Sequence, residues 1–280
     1  MNKNPPDKLA IAQLEIKAQW VWEETLKLHR RSQETRVASS LSPIEIFTTL
    51  YYGGYLRQNP ANPRWDGRDR CIISKGHGSL CMYPILADLG FFLMAELEKI
   101  CQEESFLGGI PDPIIPGYET VNGSLGHGAG VGAGMALGLL RRSKEQKVFV
   151  ILGDGELHEG ANWEAFMFAA QHKLDNLTVI VDNKQICMLG PTDEVVSHRN
   201  LAAKFDAFGW FVREVADGHS ITAIADALEE CRRNRSGRPT AIIANTRKGN
   251  RVPGLENAPL SHVTPVSPEL IDRLITGGRT

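Results

Sequence analysis

A chain of 280 residues with net charge -2 and mean hydropathy -0.21 carries no basic footprint for nucleic acid or for an acidic membrane surface. Its length suits one large α/β domain or two small ones, and no apolar run approaches the roughly 20 residues needed to span a bilayer. Five cysteines (Cys71, Cys81, Cys101, Cys187, Cys231), odd in number and without a CxxC pair, read as free thiols in a reducing compartment. The opening MNKNPPDKLAIAQ lacks an apolar signal core, so a cytoplasmic protein is expected.

Leu9, Ile11, Leu14, Ile16, Trp20, Val21, Leu26 and Leu28 recur at roughly helical spacing and predict a long helix over 8–34. A second helix is predicted over 43–52, with Pro43 in its first turn after Ser42. CIIS (71–74) reads as a short strand; helices over 79–89, ending at Gly90, and over 95–103 follow. A Gly- and Pro-rich loop runs from Ser105 to Gly128, and loops of that length in a compact domain tend to be functional. The small residues of GAGVGAGMALGLLRR (128–142) predict a helix packed very closely against a neighbour. KVFVIL, the turn Gly153-Asp154-Gly155, an amphipathic helix, and LTVIV ending in Asp182-Asn183 make a strand–turn–helix–strand unit. A helix near 198–207, a strand GWFVREV, a helix over 219–233 and a strand TAIIAN (240–245) come next. The stretch 246–267 is irregular and then briefly helical. Strands alternating with helices predict an α/β fold: a doubly wound parallel sheet with helices on both faces, in a single domain over 1–280. Residues 1–7 are expected to be a flexible N-terminus, and 246–280 an irregular segment covering the site.

Asp154 and the Asp182-Asn183 pair fall at the C-terminal ends of two neighbouring parallel strands, where ligands sit in an open α/β sheet. Hard oxygen ligands there, beside a glycine turn and a helix N-terminus, suit a Mg2+ ion carrying a diphosphate. Asp154 would also serve as a helix N-cap; its coupling to Glu159 and Asp182-Asn183 favours the ligand reading. The loop from Gly123 to Gly128 lets a ligand approach the backbone closely, although such loops are often plain junctions into a helix. His77, between two glycines after the CIIS strand, is open to bind phosphate or shuttle protons; most turn histidines are structural or solvent-facing. His262 lies in an irregular stretch and alone carries little weight. Arg36, in ETRVASSLS, is either a solvated arginine or an anion clamp on substrate.

SKGHGS, ETVNGSLGHG, GDGELHEG with its following Asn, and KGNRVPGLEN with a later His occur in an order that resembles the transketolase family over nearly the whole chain. The chain is most similar to the amino-terminal half of a split transketolase. The resemblance implies a thiamine diphosphate-binding fold, with thiamine diphosphate and Mg2+, or another divalent cation, as cofactors. Asp154 and Asn183, with the backbone carbonyl of Ile186, would ligate the metal. Gly123, Ser124, Leu125, Gly153, Gly155 and Glu156 would contact the cofactor. His77 and His262 would lie near the diphosphate and the reacting centre, His127 on the thiazolium side, and Glu159 in an acidic link at the dimer interface.

Two departures from the family pattern stand out. Thr35-Arg36 replaces the family's Gly-His in a stretch otherwise similar to GHIGGSLS. The arginine keeps a donor but cannot act as acid or base at neutral pH, which points to a substrate with an anion near that point. In DNKQICMLG, matched to the family pattern D-x-N-x-(I/L)-Q-x-x-G, Lys184 falls at the metal-ligand position. A protonated lysine repels Mg2+, so Asn183 is expected to reach the ion through a shifted loop.

The resemblance implies transfer of a two-carbon ketol unit from a ketose phosphate to an aldose. The glutamate that activates the cofactor's pyrimidine would come from a carboxy-terminal transketolase subunit, in an α2β2 heterotetramer, and the lone chain would be inactive. The α subunit of a 2-oxo acid dehydrogenase is an alternative that SKGHGS and GSLGHG argue against. A non-catalytic cofactor-binding scaffold is another, supported by Arg36 and Lys184.

Overall fold

Five apolar runs form one parallel sheet: β1 (Arg70–Ile73), β2 (Val148–Gly153), β3 (Leu177–Asn183), β4 (Phe211–Val215) and β5 (Thr240–Asn245), in the spatial order β1-β2-β3-β5-β4. The computed structural model describes residues 9–121, 123–234 and 236–277. The expected flexible stretch 1–7 lies outside the described residues, as do Asn122 of the glycine-rich loop, Arg235 and the last three positions of the C-terminal segment.

The strands are buried almost throughout because helices cover both faces, which is why they read as continuous apolar runs rather than alternating ones. The chain steps from β1 through β2 to β3, passes over one position to β4 at the edge, and returns to β5. Crossovers of one hand then put helices of the outward steps on one face and the helix of the return step on the other. On the first face α5 (Gly128–Arg141), α6 (Gly160–Gln171) and α8 (Leu201–Ala207) cover Ile72, Val150, Leu152, Val179, Val181 and Ile243. On the second, α1 (Ile11–Arg31), α2 (Val37–Leu41), α3 (Ile44–Tyr52), α4 (Met82–Leu89) and α9 (Ile221–Arg233) cover Ile73, Phe149, Ile151, Ile180 and Ile242.

The small residues of α5 let its backbone ride directly on β2. A Cβ added at Gly132 would stand 2.4 Å from Val150 Cγ2, so the predicted close packing is realised against the sheet. The segment after the glycine turn is not one helix. A short 3-10 turn (Gly155–His158) precedes α6, and Glu159 between them is extended, with φ -74 and ψ 121. The predicted helix over 95–103 is a 3-10 turn at Met94–Lys99. Two short helices were not foreseen, α2 and α7 (Thr192–Val196). The sequence of α2, VASSL, has little intrinsic helix preference; burial of all five residues holds it.

Helix α1 fastens the segment that follows β5. Trp22 donates its indole N–H to the Asn250 carbonyl at 3.0 Å, and the amide of Val266 donates to His29 Nε2 at 3.1 Å. A final helix, α10 (Pro268–Ile275), lies on α1 with Arg30 and Asp272 paired at 2.9 Å. Among the described residues no helix is long and apolar enough to cross a membrane.

Candidate active site

The strand register sets Gly153 opposite Asp182 and Asn183 opposite Asn245, so the ends of β1, β2, β3 and β5 deliver polar groups to one edge. Asp182 is fully buried there. Its carboxylate accepts from the Ser42 hydroxyl at 2.7 Å, the Thr246 hydroxyl, and the ammoniums of Lys75 and Lys184. Burial pushes this carboxyl up, but Lys184 and Lys75 outweigh it and hold it well below the usual carboxylate range.

Asp154 is also fully buried. Its Oδ1 accepts from the Gly155 amide at 3.0 Å, which makes it the N-cap of the short turn, and from the Lys184 ammonium at 2.8 Å. Its Oδ2 meets no partner among the described residues. Lys184 also donates to the Asp182 carbonyl at 2.9 Å and to Asp182 Oδ2 at 3.3 Å. Burial alone would lower this lysine; the two carboxylates hold it charged, above the ordinary lysine value.

Above this floor lies a cavity of about 510 Å³. It gathers Arg36, His77, Gly123, Leu125, Gly153, Asp154, Gly155, Glu156, Glu159, Ile186 and His262 from the sequence-derived set. Lys184, Lys248 and Ser39 join them, with Ile110, Met188 and Leu189 as apolar walls. The rings of His77 and His262 meet edge to face with centroids 4.8 Å apart, and His262 Nδ1 lies 3.3 Å from Ser39 Oγ. Burial, then Lys248 and Arg36, lowers His262 to about 4; burial, then Lys75, takes His77 lower still. Both imidazoles are neutral at pH 7, able to accept and donate hydrogen bonds without carrying charge.

Lys248 was not singled out in the sequence. It is buried, donates to the Cys187 carbonyl at 3.2 Å, and is lowered to about 8 by burial and by Lys184. The signal that could have found it is its place in KGN, directly after β5. Glu156 lines the cavity, yet its carboxylate is committed internally: Oε1 accepts from the Gly126 amide at 2.9 Å and the Ser74 hydroxyl, and Oε2 from the Gly153 amide at 3.3 Å. It thereby holds the glycine-rich loop against the ends of β1 and β2. Gly126 has φ +87, and a Cβ there would stand 2.5 Å from Glu159 Cβ. Glu159 itself is exposed on the rim.

Three residues of the sequence-derived set stand outside the cavity lining. His127 is exposed at the start of α5, with Nδ1 3.2 Å from the Leu125 carbonyl, and Ser124 is exposed in the loop. Asn183 donates to Asn245 Oδ1 at 2.7 Å and lines a separate polar groove with Gln185 and His198. Successive side chains on a strand face opposite sides. Because Asp182 turns to Lys75 and Lys184, Asn183 is directed the other way, and no loop shift brings it to Asp154.

A carboxylate bound to an ammonium, with the neighbouring carboxamide engaged elsewhere, does not fit a divalent cation. Among the described residues no three histidine, cysteine or acidic side chains converge on a metal position. A diphosphate fits better. Lys248 and Arg36 supply positive charge, and Gly123, Gly153 and Gly155 in the lining allow close approach to backbone.

The family model described as transketolase, thiamine diphosphate binding domain, matches residues 33–276. One of the two kinds of chain that make up the apulose-4-phosphate transketolase of Actinobacillus succinogenes is 36% identical over 259 residues, covering 92% of both sequences. The 6-deoxy-6-sulfo-D-fructose transketolase subunit of a Clostridium species is 35% identical over 235 residues, 84% of each. The crystal structure of a Campylobacter jejuni transketolase superimposes with a TM-score of 0.89 at 29% identity, covering 96% of this chain but 43% of that one.

Proposed function

The chain belongs to the transketolase family, and from that premise we propose that it is the amino-terminal, cofactor-binding subunit of a two-chain transketolase. Coverage carries this reading: the chain spans 92% of the Actinobacillus succinogenes relative, itself named as a transketolase subunit, but under half of a Campylobacter jejuni transketolase. The reaction is transfer of a two-carbon ketol unit from a ketose phosphate to an aldose. Thiamine diphosphate, when bound, supplies the nucleophilic carbon for this transfer. The names of the relatives favour it over a 2-oxo acid dehydrogenase α subunit.

Lys248 and the amides around Gly155 hold the diphosphate end. His77 and His262, both neutral, exchange hydrogen bonds and protons with the hydroxyl and carbonyl groups of the sugar. Arg36 clamps an anionic group of the substrate. The glutamate that engages the pyrimidine comes from a carboxy-terminal subunit, and exposed Val131 on α5 with Met167 and Phe168 on α6 suits an interface in an α2β2 assembly. Unpaired cysteines suit a reducing cytoplasm.

Mixing the purified chain with the partner and assaying ketol transfer, with and without thiamine diphosphate, tests the reading. Activity is expected only from the mixture with cofactor. Full activity from the lone chain sinks the two-chain assignment, and none from any mixture favours a scaffold.

A further inference from the structure

We propose that Lys184 takes the place of a divalent cation, so that this subunit binds the diphosphate of its cofactor without a metal. The inference rests on the reading of the cavity as a thiamine diphosphate site. Three observations carry it. The Lys184 ammonium lies 2.8 Å from Asp154 Oδ1, on the carboxylate that a cation at this edge must use. Its three protons all find acceptors, Asp154 Oδ1, the Asp182 carbonyl and Asp182 Oδ2, so the lysine is held in place rather than passing by. The adjacent Asn183, the other side-chain ligand expected for a metal, is hydrogen-bonded to Asn245 and lines another groove.

The charges follow from this arrangement. Lys75 and Lys184 balance Asp182 and Asp154 one for one, so the floor of the cavity is neutral without any ion. The anion's counter-charge then comes from Lys248, and from Lys184 itself if it exchanges its longest bond, 3.3 Å to Asp182, for a phosphate oxygen. Asp182 tolerates that loss because Lys75, Ser42 and Thr246 remain on it.

The experiment is calorimetric titration of thiamine diphosphate into the complex of this chain with its partner, in EDTA and then in millimolar Mg2+, with the metal content of the loaded complex measured by mass spectrometry. The expected dissociation constants agree within about twofold, with no stoichiometric metal retained. Binding lost in EDTA and restored by Mg2+ overturns the inference while leaving the cofactor assignment intact. No binding in either condition overturns that assignment, and the inference with it. Lys184→Asn, which installs the asparagine of the family pattern, is expected to weaken binding in EDTA at least tenfold and to regain it with Mg2+. A Lys184→Asn complex that still binds equally well in EDTA overturns the role of the lysine. If that variant does not fold, the comparison on the unmodified complex decides alone.

Discussion

Lys75 and Asp182 form an ion pair closed off from solvent, with side chains 1% and 0% exposed, joining the segment after β1 to the end of β3. Neither charge has water to fall back on, so the pair is stable only while both partners and their neutral donors are present.

Asp182→Ala leaves two buried ammoniums facing each other without their shared carboxylate. The expected loss is about 3–5 kcal/mol of folding stability, read as a lower midpoint in urea denaturation. A loss under about 1 kcal/mol would show that water enters this edge.

Arg36 donates only at 3.3 Å to the Glu34 carbonyl, leaving its guanidinium fork available toward the cavity. Arg36→Gln is expected to raise KM for a phosphorylated sugar about tenfold, with kcat changed much less. That matches the ~1.5–3 kcal/mol of a charged hydrogen bond only partly realised in an open site. The effect on an unphosphorylated sugar should be small; equal effects on both would remove Arg36 from anion recognition.

His29 is fully buried; its Nε2 accepts from the Val266 amide and its Nδ1 lies 2.7 Å from Thr35 Oγ1. The accepting Nε2 places the proton on Nδ1, toward Thr35, which in turn donates to the Ser32 carbonyl at 2.9 Å. Burial lowers His29 to about 4 from 6.5. The unfolded chain therefore binds the proton first. Stability from this residue is complete above about pH 6.5 and declines as pH falls toward 4, by about 2–3 kcal/mol in all. Denaturation curves at pH 7 and pH 4.5 should differ by most of that amount more in the native chain than in His29→Gln. An identical pH dependence in the variant would remove His29 as the cause.

Gly126→Ala forces a left-handed backbone on a residue with a Cβ and sets that Cβ against Glu159. A stability loss of about 1–2 kcal/mol is expected, with a larger fractional loss of cofactor affinity because the loop is displaced from Glu156. Unchanged affinity would show that the loop does not shape the cavity.

The parallel sheet was legible because strands covered on both faces must be apolar along their length, and TAIIAN (240–245) coincides with β5. Helix α2 was not, since its five residues are held by packing rather than preference. Most residues that line the cavity were named from glycine turns and strand ends. The orientation of Asn183 was implicit in the two-residue period of β3, which puts it opposite Asp182. The internal duty of Glu156 was hidden, because its partners Gly126 and Ser74 lie 30 and 82 residues away in sequence.

The two fastenings of α1, Trp22 on Asn250 and His29 on Val266, bracket the stretch that carries His262. An irregular segment would ordinarily open on its own, exchanging its amide protons far faster than the core. Tied at both ends to a helix whose inner face is core, this one cannot open without disturbing α1. The Val266 amide should therefore exchange with solvent deuterium at the pace of α1 rather than of a loop, and so report how long the histidine pair stays assembled.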